Sequence, residues 1–160
     1  MPRRDLPTYT DYHELMSAIA GVWEGTYTHL HPNGQLMEHF ASRQETRLRG
    51  TAWFERITYR RAGQEPEVLD FRATIDSGNE PRVTFDDDHF RGVSYLVEGR
   101  LTVFPYYWKH RTDQEIVEII VLQTEDYRTR LWQTFENDRL VRLTVIEEER
   151  RLGQIPDEWE

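Results

Sequence analysis

From Val22 onward, apolar and polar residues alternate with a period of two in nearly every window, and turn residues interrupt the alternation again and again. Such alternation puts successive side chains on opposite faces of a strand. A chain that crosses about ten strands by short turns pairs neighbours antiparallel, and its two outer edges must then be hidden or paired. Closing the sheet on itself removes both edges. The expectation is therefore an all-β chain, an up-and-down antiparallel β-barrel of about ten strands, with a closely curled sandwich as the alternative. The runs fall near 22–31, 35–48, 52–61, 68–76, 82–86, 92–98, 100–108, 115–124, 129–136 and 139–149.

Only one segment breaks this rhythm. Residues 8–20 form the helical segment, in which Leu15 and Ile19, with Val22 just beyond, recur near helical spacing, with Thr10 or Asp11 to cap, Glu14 in the first turn and Gly21 to end the helix. No repeat or linker divides the chain, so residues 1–160 read as a single domain: helix 8–20, barrel 22–149 and acidic tail 150–160.

Composition narrows the partners. A net charge of −9 disfavours unassisted binding to nucleic acid or to an anionic membrane surface. No uncharged stretch approaches the ~20 residues of a membrane span. The opening Met-Pro-Arg-Arg-Asp leads into no apolar segment, so no secretory signal is expected, and the lack of cysteine fits a cytoplasmic protein. Basic charge is carried by nineteen arginines and one lysine, Lys109.

Turn chemistry sets register. Asn33-Gly34 is a strong hairpin signal, and a two-residue type I′ loop there pairs residues whose numbers sum to 67. Tyr27 then faces Phe40, Gly25 faces Ser42 and Trp23 faces Gln44, while Glu24 meets Arg43 on the other face. If Arg49-Gly50 forms the next loop, Gln44 pairs with Glu55, Ser42 with Ile57 and Phe40 with Tyr59; a one-residue slip would turn Phe54 and Arg56 inward. In the fourth strand Leu69, Phe71, Ala73 and Ile75 point in, and Asp70, Arg72 and Asp76 point out. Longer loops are expected at 62–66 and 77–81.

The inner face therefore mixes aromatic rings with hydroxyl, amide and carboxylate groups. An unpartnered buried polar group costs ~1–3 kcal/mol, so a dry core rarely tolerates the mixture, whereas a small-molecule cavity needs it. The expected ligand-binding residues are Tyr27, Phe40, Ser42, Gln44, Trp53, Glu55, Tyr59 and Phe71.

Gly21-Val22-Trp23, after a short helix and at the start of the first strand, resembles the Gly-x-Trp opening of lipocalins and their calycin relatives. In that group the tryptophan closes the barrel base and is often packed by an arginine from a late strand, which the resemblance would assign to Arg139 or Arg142. The longer run Trp23-Glu24-Gly25-Thr26-Tyr27, Pro32-Asn33-Gly34 and Phe40 to Arg47 is similar to the lipocalin-like DUF3598 family of unknown function, found mainly in bacteria. That likeness covers about residues 20–75 and implies a barrel with a cavity. Calycin relatives bind fatty acids, retinoids, tetrapyrroles or haem, or attach bilins to phycobiliproteins; none of this transfers a reaction to the chain.

Other chemistry is weighed residue by residue. His29 and His31 share a strand face, with Glu38 opposite His29, a possible metal set; solvated histidines beside an exposed turn are the simpler account. Haem, by analogy with nitrobindin-like barrels, would need a late proximal histidine, but the last is His110, leaving His89 or His110 to substitute. Glu55, Glu118 and Glu136 lie on apolar strands. An inward carboxyl such as Glu55, beside Tyr59, is the catalytic candidate for a cofactor-free isomerase, cyclase or lyase, against the alternative of a carboxylate paired to an arginine. Asp86-Asp87-Asp88 and Glu147-Glu148-Glu149 read as solubilising charge, with weak calcium binding a lesser option at the former. The runs Val103–Trp108 and Ile116–Leu122 are apolar on both parities, so their outer face would pack the helix or a second subunit as a homodimer. The expectation is a binder of one apolar or amphipathic small molecule, with no cofactor.

Overall fold

Each alternating run becomes a strand. The computed structural model describes residues 7–75 and 82–154. Helix α1 (Tyr12–Ile19) is followed by β1 (Gly21–Leu30), β2 (Leu36–Arg49), β3 (Ala52–Arg60), β4 (Glu67–Ile75), β5 (Arg82–Asp86), β6 (Phe90–Val97), β7 (Leu101–Trp108), β8 (Gln114–Thr124), β9 (Tyr127–Glu136) and β10 (Arg139–Arg150). Every strand pairs antiparallel with its chain neighbours, and β10 returns to β1 to close the barrel. Asp76, the 77–81 loop, the opening residues and the last part of the acidic tail lie outside the described residues.

The first hairpin reaches the expected register by a different turn. The Gly34 N–H donates to the His31 carbonyl and the His31 N–H to the Gln35 carbonyl, each at 2.8 Å. Pro32-Asn33-Gly34 is thus a three-residue loop in which Gly34, at φ +89°, takes the left-handed position and Asn33 does not. That loop alone would shift the pairing by one. A bulge between His29 and Leu30 restores it, so Tyr27 still faces Phe40 and Trp23 faces Gln44. Glu24 and Arg43 meet at 2.9 Å on the outside.

At the second turn the loop is Gly50-Thr51, not Arg49-Gly50, and Arg49 pairs with Ala52. Gln44 therefore faces Ile57 and Ser42 faces Tyr59, a shift of two residues from the expected pairing. An even shift preserves the faces, so Trp53, Glu55, Ile57 and Tyr59 still share the inward parity. In β4, Phe71, Ala73 and Ile75 are buried, and Asp70 and Arg72 are exposed.

Helix α1 is capped by Asp11, whose side chain accepts from the Glu14 N–H at 2.8 Å. It does not cover the outer face of the β7–β8 sheet. Its buried side Tyr12, Leu15, Met16 and Ile19 plugs one end of the barrel, where the Tyr12 hydroxyl hydrogen-bonds Ser94 Oγ. Trp23 lies at this end and donates from Nε1 to the Ile19 carbonyl at 2.9 Å. The guanidiniums over its indole belong to Arg128 and Arg150, each 4.4 Å from the ring centroid, in place of the expected Arg139 or Arg142. Those two begin β10 at the opposite end, whereas Arg150 ends it beside the helix and donates to the Ala18 and Ala20 carbonyls.

Outside, a row of apolar side chains crosses adjacent strands: Tyr95, Val103, Ile119, Leu131 and Val145 are successive partners. Among the described residues no helix is long and apolar enough to cross a membrane.

Candidate functional site

The inward residues of β9 set the chemistry of the interior. Arg128, Arg130 and Trp132 alternate onto one face, and all three are buried. Arg128 Nε donates to Glu148 at 2.6 Å, and its Nη2 donates to the Gln44 side-chain carbonyl. Arg130 donates to Glu118 and to Glu148, each at 3.1 Å, and to the Tyr27 hydroxyl. A continuous charged layer thus crosses the middle of the barrel.

Burial pushes the Glu148 carboxyl up, but the charges and hydrogen bonds of Arg128 and Arg130 outweigh it and hold it below the ordinary carboxylate range. Burial also raises the Tyr27 phenol well above its usual value and pushes Tyr59 up to about 12, so both stay protonated donors. Glu55 differs from the other inward acids. It forms no ion pair among the described residues, accepts only from Trp53 Nε1 at 3.2 Å, and its pKa is raised by burial.

Beyond this layer, toward the end opposite α1, lies a small cavity of about 40 Å³. Its walls are Ile57, Tyr59, Phe71, Phe90, Phe104 and Tyr106, with Trp108 and Trp132; Glu55, Glu118 and Arg130 form its floor. The rings pack edge-on and stacked, as in Phe71–Phe90 at 5.1 Å and Phe104–Tyr106 at 4.6 Å. On the helix side, a second space of about 70 Å³ is lined by Tyr12, Met16, Trp53 and Gln44 and touches the same floor.

Of the expected binding residues, Glu55, Tyr59 and Phe71 meet in the upper cavity, and Gln44 and Trp53 with Glu55 in the lower one. Tyr27, Phe40 and Ser42 are buried but line neither. Tyr27 stacks on Phe40 at 5.4 Å, and Arg61 covers the Phe40 ring at 4.0 Å, so that side of the barrel is filled. Glu118 is inward and arginine-bound, whereas Glu136 sits at the rim with Arg111 and Gln114. Glu148 is no solubilising charge: it is 1% exposed, because it shares parity with Thr144 and Ile146. Asp87 braces its own loop by accepting from the His89 and Phe90 N–H groups.

His29 is not solvated. It is 6% exposed and hydrogen-bonds Thr144 Oγ1 at 2.7 Å, while His31 is exposed at the turn and Glu38 is taken by Arg61 at 2.6 Å. Among the described residues no cluster of metal-ligating side chains forms. Neither does haem suit the cavity, since no histidine lines it and His89 and His110 are exposed.

Burial, with Arg142 nearby, lowers the His29 pKa to about 4 from 6.5. Its neutral form therefore stabilises the fold fully above pH 6.5, and stability falls as pH drops from 6.5 toward 4, where protonation favours the unfolded chain. Against His29→Gln, the wild type is expected to lose up to about 3 kcal/mol across that window, less any solvent screening at the rim. Urea denaturation of both at several pH values measures it; a pH-independent difference contradicts the buried neutral imidazole.

With this geometry in view, the family model for the N-terminal domain of DUF3598, a domain of unknown function, matches residues 9–152. The chain belongs to the DUF3598 family. The match runs through the second half of the barrel, well past the 20–75 segment that carries the visible likeness. A DUF3598 protein of unknown function from Nostoc punctiforme superposes with a TM-score of 0.70 at 16% identity, over 92% of this chain and 51% of that one. This chain thus spans about half the length of the Nostoc protein. The S-type phycobiliprotein lyase CPES from Guillardia theta superposes with a TM-score of 0.73 at 13% identity, over 91% and 95% of the two chains. Rv2717c from M. tuberculosis gives 0.62 at 10% identity, over 89% and 99%. No curated protein matches the sequence.

Proposed function

We propose that this DUF3598 barrel binds one small, largely apolar molecule in the aromatic cavity above the Arg130 layer. The observation that carries the reading is an aromatic-walled space closed below by charged groups, the mixture of apolar lining and a few placed polar groups that small-molecule sites share. The fold it shares with the S-type phycobiliprotein lyase of Guillardia theta supports the reading. Native mass spectrometry of protein purified from its own host, followed by denaturation, should release a stoichiometric small molecule. An empty protein that also fails to bind fluorescent fatty-acid and tetrapyrrole probes would sink the proposal.

Glu55 supports a second reading, an isomerase, cyclase or lyase on the same barrel. It is the inward acid with no arginine in ion-pair contact among the described residues, and burial raises its carboxyl pKa although the charges of Arg130 and Arg128 pull it down, which suits it, beside Tyr59, to proton transfer. Glu55→Gln keeps the shape and removes the acid. If Glu55 is catalytic, turnover falls by ~10²–10⁴, and the variant purifies with a different compound from the wild type: substrate in place of product. Identical compounds from both proteins would argue for binding alone.

A further inference from the structure

Two donors at the cavity floor have no acceptor among the described residues. Arg130 Nε and Trp132 Nε1 are buried without a hydrogen-bond partner there, and their residues are 5% and 8% exposed. They stand two apart on β9, so both side chains leave the same face and line the same cavity. The other Arg130 nitrogens are engaged by Glu118, Glu148 and Tyr27, which leaves Nε as the one guanidinium nitrogen without an acceptor among the described residues. A buried N–H without an acceptor is costly, and a ligand oxygen would relieve two at once.

We propose, building on the small-molecule reading, that the bound molecule is planar and apolar and ends in a neutral carbonyl whose oxygen accepts from Arg130 Nε and Trp132 Nε1. Charge balance selects a carbonyl over a carboxylate. Arg128 and Arg130 are already matched by Glu148 and Glu118. A carboxylate would add an unmatched negative charge beside Glu55, Glu118 and Glu148 in a desolvated site. A ketone, aldehyde, ester or lactam adds none. The surrounding rings Phe71, Phe90, Tyr106 and Trp108 favour a flat, conjugated body behind that oxygen.

Three substituted benzenes, kept small to match the cavity, test this on the intact protein: acetophenone, isopropenylbenzene (a methylene in place of the oxygen) and benzoate. Calorimetry should find the ketone bound about tenfold or more tighter than the isopropenyl compound, and also tighter than benzoate. The indole N–H resonance of Trp132, assigned by its loss in Trp132→Phe, should move downfield with the ketone and not with the hydrocarbon. Trp132→Phe should shrink the ketone's advantage over the hydrocarbon several-fold. Equal affinities for ketone and hydrocarbon, or tightest binding of benzoate, would overturn the carbonyl assignment and leave the cavity standing. Failure of all three to bind would overturn the cavity reading and this assignment together.

Discussion

Replacing Arg130 by methionine should destabilise the protein by about 3–5 kcal/mol, the usual consequence of removing one partner from a buried ion pair. Arg130 is surrounded by Glu118, Glu148 and the Tyr27 hydroxyl, and none of these has an exit to water. Among the described residues its loss leaves Glu118 without an ion-pair partner and Glu148 with Arg128 alone. In a chain of this length such a loss lowers the melting temperature by roughly 6–20 °C. Adding Glu118→Leu to Arg130→Met removes that orphan and should recover much of the stability, since a well-packed apolar pair often replaces a buried ion pair without loss. Equilibrium urea denaturation of the single and double variants decides the matter. A single-variant cost under about 1 kcal/mol would mean that water reaches the layer.

That layer is also where inference from residues alone falls short, and the reason is specific. Charged residues on strands are assigned to solvent by default, because burying them is costly. Arg128, Arg130 and Glu148 invert the rule by burying one another, and pairing between β9 and β10 is not a local property of either strand. Parity held the clue. Arg128 and Arg130 alternate with Trp132, and Glu148 alternates with Ile146, so an inward tryptophan and isoleucine carry the charges inward with them. Inner and outer faces of β1–β4 were legible because parity survives an even error: the Gly50-Thr51 loop moves Ile57 opposite Gln44 without turning any side chain over. Exact pairing of β2 with β3 was not legible, since it depends on which residues form the loop, whereas β1 and β2 meet in the expected register because a bulge absorbs the residue that their longer loop adds. The helix's place was hidden for a related reason. Its apolar stripe demands a partner but does not say whether that is the outer wall or the open end of a barrel.

Gly25→Ala should be the more damaging change, although it adds a single methyl. A Cβ built on Gly25 lies 1.8 Å from the Glu147 carbonyl oxygen and 2.8 Å from Glu148 Cα. Both atoms belong to the backbone of β10, so no rotamer can make room. The strands must part at the rung where Gly25 faces Glu148, on the seam that closes the barrel. Moving that rung draws Glu148 from Arg128 and Arg130 and disturbs the floor of both cavities. The expected loss exceeds about 4 kcal/mol, in the range reserved for overpacking and broken buried networks, and low soluble yield at 37 °C is part of the same prediction. Gly34→Ala is the control. Gly34 has a positive φ of +89° but nothing within 4 Å of an added Cβ, so only backbone strain opposes it, on the order of 1 kcal/mol. Thermal and urea denaturation of the two variants should therefore rank Gly25 far above Gly34. A Gly25→Ala protein within about 1 kcal/mol of wild type would show that β1 and β10 do not approach this closely, and the buried layer they hold between them would lose its anchor.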